Sequence, residues 1–186
     1  MCPKMFKQNL NKMIKKFLPL AYLLLIIGTA CAQEKKEATT LILVRHAEKV
    51  DDGTRDPALS AAGKERAQVL IELLRETPIE AIYSTPYKRT RETVEPLAHA
   101  KGISVTEYKP HDWDVLKKIV DENKGKTIVM VGHSNTTPWV ANVLLGEEKK
   151  YPDWKDDDYD NVLIVSEFGD GHTNVTWLTY GKATSK

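Results

Sequence analysis

Residues 41–49 read LILVRHAEK, a short apolar run that leads directly into an arginine, a histidine and a glutamate. An apolar run of this length is typical of a strand that is buried on both faces, as the strands of parallel sheets are. A second stretch of the same kind, residues 128–135, reads IVMVGHSN. Two buried strands that each end in a histidine indicate an open α/β sheet, in which both histidines lie at the carboxyl edge where ligands bind.

The chain around these two stretches alternates strand-like and helix-like segments. Apolar, β-branched runs predict parallel strands at residues 40–44, 79–83, 103–106 and 127–131. Apolar residues at helical spacing predict four helices, which carry Leu70 and Leu74 after a cap at Ser60, Val94 and Leu97, Leu116 and Ile119, and Val140 and Leu144 before a stop at Gly146. Residues 162–168 and 174–180 flank Gly169-Asp170-Gly171 and predict a hairpin. The expected fold is a three-layer α/β/α sandwich whose sheet is mostly parallel with an antiparallel edge.

Residues 1–32 have the composition of an export leader. Five lysines precede an uncharged apolar run at residues 17–30, and no acidic residue occurs before Glu34. The run is shorter than the roughly 20 apolar residues of a transmembrane helix. We therefore expect a secretion signal, with an uncleaved anchor as the lesser alternative.

Two processing sites overlap at the end of this leader. Ala30-Cys31-Ala32 fits an ordinary signal peptidase site, which would release a chain that starts at Gln33. Residues 28–31, GTAC, resemble a bacterial lipobox, in which Cys31 would carry the lipid and tether the protein to a membrane. We expect an exported bacterial protein, either periplasmic or a membrane-anchored lipoprotein. Residues 33–40 then form a short charged tether, and residues 41–182 form one domain.

Charge and cysteine content narrow the functional classes. The leader contains 5 of the 27 Lys and Arg residues and none of the 26 Asp and Glu residues, so the remainder has 22 against 26 and a net charge near −4. A nucleic-acid-binding domain usually carries the opposite sign. Cys2 and Cys31 are the only cysteines, so the domain can form neither an internal disulfide nor a thiolate metal site.

A third segment places basic residues at the same edge of the sheet. Residues 83–93 read YSTPYKRTRET, so the end of a strand leads Arg89 and Arg91 into the start of a helix. Guanidinium groups pair with phosphate oxygens, and a neutral imidazole can attack phosphorus. The three strand ends together therefore indicate a site for phosphoryl transfer.

These motifs resemble those of branch 1 of the histidine phosphatase superfamily. Arg45-His46-Ala47-Glu48 is similar to its Arg-His-Gly-Glu signature, although alanine stands where glycine is usual. Further similar elements are Leu59-Ser60-x-x-Gly63, the segment from Thr85 to Thr93, and Gly132-His133. The resemblance implies a phosphoglycerate mutase-like fold.

The resemblance also implies a role for each matching residue. His46 is the nucleophile that becomes phosphorylated, and Arg45, Arg89 and His133 hold the transferring phosphoryl group. Spacing favours Arg89 over Arg91. The implied activity is hydrolysis of a small phosphorylated substrate, a phosphomonoester, without a metal or other cofactor. The sequence does not indicate an oligomeric state.

The leaving alcohol needs a proton, and a carboxylic acid after the third strand is the expected donor. Asp112 is the first candidate and Glu107 the second, although an aspartate before Trp113 is equally suited to cap a helix. Glu48 either orients an arginine or lies on the surface. The acidic, aromatic loop at residues 147–159 is expected to be a solvated surface loop. Alternatively, it forms one wall of the pocket, where Trp154 and Tyr159 would set the shape of the substrate site.

Two other functions are compatible with parts of the sequence. Gly132-His133-Ser134 is close to the nucleophile elbow of serine hydrolases, with Asp157 and His172 following in a suitable order. Alternatively, the chain is a non-catalytic exported module that binds an anion in the same pocket. The first alternative leaves the Arg45-His46 pair and the Arg89 segment unexplained, and the second leaves the two histidines unexplained.

Overall fold

The computed structural model of the protein describes residues 38–184. The predicted leader and most of the predicted tether lie outside these residues. The elements in chain order are β1 (Thr39–Arg45), α1 (Ala61–Leu73), β2 (Ala81–Ser84), α2 (Lys88–Lys101), β3 (Val105–Glu107), α3 (Trp113–Glu122), β4 (Thr127–Gly132), α4 (Thr136–Leu145), β5 (Asn161–Glu167) and β6 (Thr173–Thr179). Within the described residues, no helix is long and apolar enough to cross a membrane.

The strands form one mixed sheet in the order β3-β2-β4-β1-β5-β6. β1, β2, β3 and β4 are parallel to one another, while β5 is antiparallel to both β1 and β6, so that β5 and β6 form the antiparallel edge. The hairpin between β5 and β6 turns at Gly171, where φ is +85°. The predicted architecture, including its antiparallel edge, is confirmed.

Both faces of the sheet are covered, because side chains alternate along each buried strand. Leu41 and Leu43 pack into a core that includes residues of α3 and α4. Ile42 and Val44 point to the other face, into a core that includes residues of α1 and α2. All four side chains are at most 3% exposed, so β1 is buried on both faces as its sequence predicts.

The strand register decides which residues share the carboxyl edge. Arg45, the last residue of β1, is the partner of Gly132 at the end of β4. Ser84 at the end of β2 pairs with Val131 of β4. The loops that begin at His46, Thr85 and His133 therefore leave the sheet side by side.

Candidate active site

The two histidines of the strand ends face each other across a cavity. The centroids of the His46 and His133 rings lie 5.4 Å apart, with an angle of 66° between the planes. The cavity has a volume of about 410 Å³, and its lining includes Arg45 and Arg89 as well as both histidines. All four residues that the sequence analysis selected for phosphoryl chemistry thus line one pocket.

The His46 imidazole is held in a single tautomer. Its Nδ1 lies 2.8 Å from the carbonyl oxygen of Ala47. A carbonyl oxygen can only accept, so Nδ1 carries the hydrogen and Nε2 keeps its lone pair. Burial, and then the positive charges of Arg45 and Arg89, lower the pKa of His46 to about 3, although the Ala47 carbonyl opposes the shift. At neutral pH the ring is therefore uncharged, with a lone pair on Nε2.

The backbone beyond His46 is anchored on α1 and α2. The Ala47 N–H donates to Thr93 Oγ1 at 2.9 Å, and the Thr93 hydroxyl donates to the Arg89 carbonyl. Ser60 caps α1 by accepting from the Gly63 N–H at 3.1 Å. A Cβ atom on Gly63 would lie 2.1 Å from the Glu48 carbonyl oxygen, so only glycine lets α1 approach this closely. The Leu-Ser-x-x-Gly motif therefore positions the loop that begins at His46.

Arg45 is buried, only 3% exposed, and its guanidinium is fixed by the loop before β5. Nη1 donates to the carbonyls of Lys155 and Asp158 at 2.6 and 2.8 Å, and Nη2 donates to the Asp156 carbonyl at 3.0 Å. The Nε–H has no hydrogen-bond partner among the described residues. Nε and Nη2 each keep one N–H, and these two lie side by side on the guanidinium fork. That pair is suited to a bidentate contact with an oxyanion.

Arg89 and His133 belong to a directed chain of hydrogen bonds. Arg89 Nη2 donates to His133 Nδ1 at 3.4 Å, so the hydrogen of the neutral ring is on Nε2. Nε2 then donates to Thr85 Oγ1 at 2.9 Å, and the Thr85 hydroxyl donates to Thr90 at 3.1 Å. Burial, followed by the charges of Arg89 and Arg45, lowers the pKa of His133 to about 4.

Glycine is required at the end of β4 to place His133. A Cβ atom on Gly132 would lie 2.4 Å from Thr136 Oγ1. That oxygen accepts from the His133 N–H at 2.7 Å. The close approach of α4 to the strand end thus fixes the backbone of His133.

Residues 41–110 match the family model of the histidine phosphatase superfamily, branch 1. The match covers 70 of the 186 residues, so it relates this segment of the chain to that family. Phosphoserine phosphatase 1 of Hydrogenobacter thermophilus is 42% identical over 71 residues, which are 35% of this chain and 34% of that protein. The chain therefore matches about a third of the length of this curated relative. His133 lies beyond the segment that the family model matches.

Solved structures of the family have the same fold. The protein histidine phosphatase SixA, in a complex with tungstate, has a TM-score of 0.62 and 14% identity over 76% of this chain and 96% of SixA. A putative α-ribazole-5'-P phosphatase from Escherichia coli has a TM-score of 0.63 and 15% identity, over 80% of this chain and 99% of that one. At these identities the likeness concerns the fold alone.

The two arginines of the α2 segment have different surroundings. Arg89 lines the pocket, with its guanidinium 4.7 Å from the centre of the Tyr87 ring and 3.5 Å from Asp56. Arg91 is half exposed and pairs with Glu95 and Glu107 at 3.3 Å. The structure thus brings Arg89, and not Arg91, to the family's two histidines.

Neither carboxylate that the sequence analysis considered as proton donor is part of the pocket lining. Asp112 is the N-cap of α3, where it accepts from the Val115 N–H at 3.3 Å and from Lys109 at 3.0 Å. These contacts, the Lys109 ammonium first, lower the pKa of Asp112. Glu107 is occupied by Arg91. The donor role of Asp112 stays a prediction without geometric support, and the residue beside it that lines the pocket is His111.

Glu48 orients an arginine outside the pocket. Both of its carboxylate oxygens accept from Arg66 at 2.7 to 3.0 Å. Arg66 also donates to the carbonyls of Tyr180 and Lys182, both after β6. Glu48, the last residue of the Arg-His-Ala-Glu motif, therefore links the loop after His46 to the C-terminal segment.

Most residues of the loop at residues 147–159 are exposed, as expected, but part of the loop packs on the sheet and lines the pocket, which is the alternative that the sequence left open. Trp154 is buried in the core, and its backbone N–H donates to the Ser134 carbonyl at 3.0 Å. The Tyr159 ring lies 4.2 Å from the Arg45 guanidinium and 5.9 Å from the His46 ring. Mixed aromatic and acidic composition alone did not distinguish a wall from a surface loop.

The serine hydrolase constellation is not assembled. Ser134 lines the pocket at the carboxyl edge of the sheet. His172 lies in the turn between β5 and β6, beyond Glu167, whose partner is Thr39 at the start of β1. The two residues are therefore at opposite edges of the sheet.

Several residues that line the pocket could not be identified from the sequence. Tyr87, Lys49 and Asp156 reach the pocket from three separate loops, and only the tertiary fold brings them together. The hydroxyls of Thr85 and Thr93 lie within a family motif, which could have identified them as positioning residues. Among residues 38–184, no cluster of three or more His, Cys, Asp or Glu side chains could hold a metal ion.

Proposed function

We propose that the protein is a metal-independent phosphomonoester hydrolase that works through a phosphohistidine on His46. The observation that carries this proposal is the bare Nε2 of His46, which is fixed by the Ala47 carbonyl and lies beside two guanidinium groups. A neutral, positioned imidazole next to paired cations has the nucleophile and the charge stabilisation that phosphoryl transfer requires.

In the first half-reaction the phosphoryl oxygens bind the fork of Arg45 and the guanidinium of Arg89. The negative charge of the bound group favours a proton on Nδ1 of His133, which then donates to a third oxygen. His46 Nε2 attacks phosphorus in line, the N–P bond forms, and the ester P–O bond breaks as the alcohol takes a proton. In the second half-reaction water attacks phosphorus, the N–P bond breaks, and inorganic phosphate leaves.

The comparisons support this reaction class at the level of the family. The matched proteins are named as phosphatases for phosphoserine, for protein histidine and for α-ribazole-5'-P. The substrates in these names all carry a phosphoryl group, but the molecules to which it is attached differ. We accordingly propose a small phosphorylated molecule as substrate and do not choose among the three.

The test is hydrolysis of para-nitrophenyl phosphate by the purified protein with EDTA present. We expect turnover by the wild type and a loss of about 10³-fold or more for His46→Ala, because the nucleophile is removed. His99→Ala is the matched control, since His99 is exposed on α2 outside the pocket, and it should retain wild-type turnover. Rapid quenching of the wild type should show the added mass of one phosphoryl group on the peptide that contains His46.

Other outcomes would contradict the proposal in distinct ways. Turnover that EDTA abolishes would indicate a metal-dependent enzyme. Tight binding of phosphate without turnover of any ester would favour the non-catalytic anion-binding module. Equal activity of the His46→Ala variant and the wild type would exclude His46 as nucleophile.

We also propose that the protein is exported and tethered to a membrane by a lipid on Cys31, with cleavage after Ala32 as the alternative. The support is the sequence of the leader, which lies outside the described residues. Mass spectrometry of the mature N-terminus distinguishes the two forms, because one starts at a lipidated Cys31 and the other at Gln33. Retention of the intact leader would contradict both.

A further inference from the structure

A second cavity adjoins the phosphoryl pocket. Its volume is about 590 Å³, and its walls include the aromatic side chains of Trp139 and Tyr151. The two cavities share two lining residues, His111 and Asn135. A phosphomonoester with its phosphoryl group between the two arginines therefore has room for its alcohol in the second cavity, which we call the alcohol cleft.

His111 stands at the junction of the pocket and the alcohol cleft. The bridging ester oxygen of a substrate bound in this way would lie at the same junction, because it joins the phosphoryl group to the alcohol. The His111 ring packs edge-on against Trp139, with 5.2 Å between ring centroids. His111 is otherwise exposed, so a proton on its ring can exchange with solvent.

The backbone of His111 is in a rare conformation. Its φ is +54°, and within residues 38–184 it is the one residue other than glycine with a positive φ. Such a conformation costs free energy and persists where the surroundings hold it. The flanking chain is held on both sides, because the Tyr108 N–H donates to the Ser84 carbonyl and Asp112 caps α3. The strained residue thus lies between two fixed points at the mouth of the pocket.

We propose that His111 is the group that protonates the leaving alcohol. This inference rests on the proposed function of the same site. As the His46 Nε2–P bond forms and the ester P–O bond breaks, the His111 imidazolium transfers a proton to the ester oxygen and becomes a neutral imidazole. The imidazole then accepts a proton from the water that attacks the phosphohistidine, which restores the imidazolium.

The two carboxylates nearby are poorly suited to this step. Asp112 accepts from Lys109 and from the Val115 N–H, and both contacts favour its ionised form, which has no proton to give. Glu107 is paired with Arg91 outside the pocket. A histidine side chain, in contrast, can act first as a general acid and then as a general base.

The test compares two esters that differ in their need for a proton. The para-nitrophenolate of para-nitrophenyl phosphate leaves without protonation, whereas the glycerol of β-glycerol phosphate must take up a proton as it leaves. The ratio kcat/KM reports the step in which the ester bond breaks, so it is measured for both esters. The variant is His111→Asn, because asparagine tolerates a positive φ and cannot act as an acid. Asp112→Asn is the matched control, since asparagine also caps helices.

We expect His111→Asn to lower kcat/KM for β-glycerol phosphate by about 10²-fold or more and to change kcat/KM for para-nitrophenyl phosphate only a few-fold. Asp112→Asn should leave both values near those of the wild type. His111→Gln provides a second variant in case His111→Asn folds poorly, and it should show the same selectivity.

Any one of four results would overturn the inference. A loss of equal size on both esters would mean that His111 positions the site without donating a proton. A selective loss in Asp112→Asn would identify Asp112 as the donor. A wild type that hydrolyses neither ester would overturn the proposed function as well, whereas active variants with unchanged ester preference would overturn only the role of His111.

Discussion

His46, the proposed nucleophile, is buried and uncharged. Both properties lower the stability of the folded protein at acidic pH. Its ring is 3% exposed, and its pKa is lowered to about 3 from an ordinary value of 6.5. Between these values the unfolded chain binds a proton that the folded chain does not. The unfolded state therefore binds more protons, and the free energy of unfolding must fall as the pH falls through this range. His133, with a pKa lowered to about 4, acts in the same direction.

We predict that His46→Gln makes stability less dependent on pH. Glutamine is neutral in both states, so the contribution of this site, up to about 1.4 kcal/mol per pH unit, disappears between pH 6.5 and about pH 4. Chemical denaturation at pH 7, 6 and 5 measures the slope for the wild type and the variant. His99→Gln, at an exposed position, should keep the wild-type slope. Identical slopes for His46→Gln and the wild type would mean that His46 is not held neutral by the fold.

At the residue scale, sequence reasoning succeeded where the functional side chain directly follows a strand. Arg45, His46 and His133 needed only the register of β1 and β4 to meet. Sequence reasoning could not locate the proposed proton donor, because the positive φ at His111 is set by the contacts on either side of this residue. The orientation of the Arg45 guanidinium could not be predicted from the sequence either, because the carbonyls that fix it belong to residues 155–158, more than a hundred residues along the chain.

At the scale of elements, the site depends on how closely helices approach strand ends. α4 begins four residues after Gly132, and Thr136 of its first turn accepts from the His133 N–H. A glycine followed by a histidine is visible in the sequence. The distance of 2.4 Å between a Cβ atom on Gly132 and Thr136 Oγ1 cannot be predicted from the sequence, because it depends on the packing of α4 against the sheet.

Gly132→Ala should therefore lower both stability and turnover. The added methyl displaces Thr136 and with it His133, so we expect a loss of about 1–3 kcal/mol in the free energy of unfolding. In a Thr136→Ala background the loss should be smaller, because the nearest colliding atom is gone, and the four proteins form a double-mutant cycle. Gly169→Ala is the control, since nothing lies within 4 Å of its Cβ position and its φ is not positive. A cost for Gly132→Ala no larger than that for Gly169→Ala would contradict this account.

The order of the strands illustrates what sequence periodicity leaves open at the scale of the whole molecule. Alternating strands and helices predicted a parallel sheet, and the Gly-Asp-Gly turn predicted the hairpin at its edge. The order β3-β2-β4-β1-β5-β6 places β1 between a parallel and an antiparallel neighbour. As a result, the segment before β5 passes over the end of β1, where its carbonyls bind Arg45 and its Tyr159 ring covers the guanidinium.

Because this arrangement exists only in the folded chain, an oxyanion that binds the pocket must stabilise the whole domain. We predict that tungstate, a tetrahedral oxyanion, raises the Tm of the wild type. At 100 times its Kd the gain is about 2.7 kcal/mol, which for a domain of this size is about 5–10 °C. Thermal denaturation with and without tungstate measures the shift. Arg89→Gln should lose most of it, because one of the two pocket guanidiniums is removed, whereas Arg91→Gln, at the half-exposed neighbour outside the pocket, should keep it. Equal Tm shifts in the two variants would mean that tungstate binds elsewhere on the surface. The guanidinium groups of the pocket would then not be its binding site.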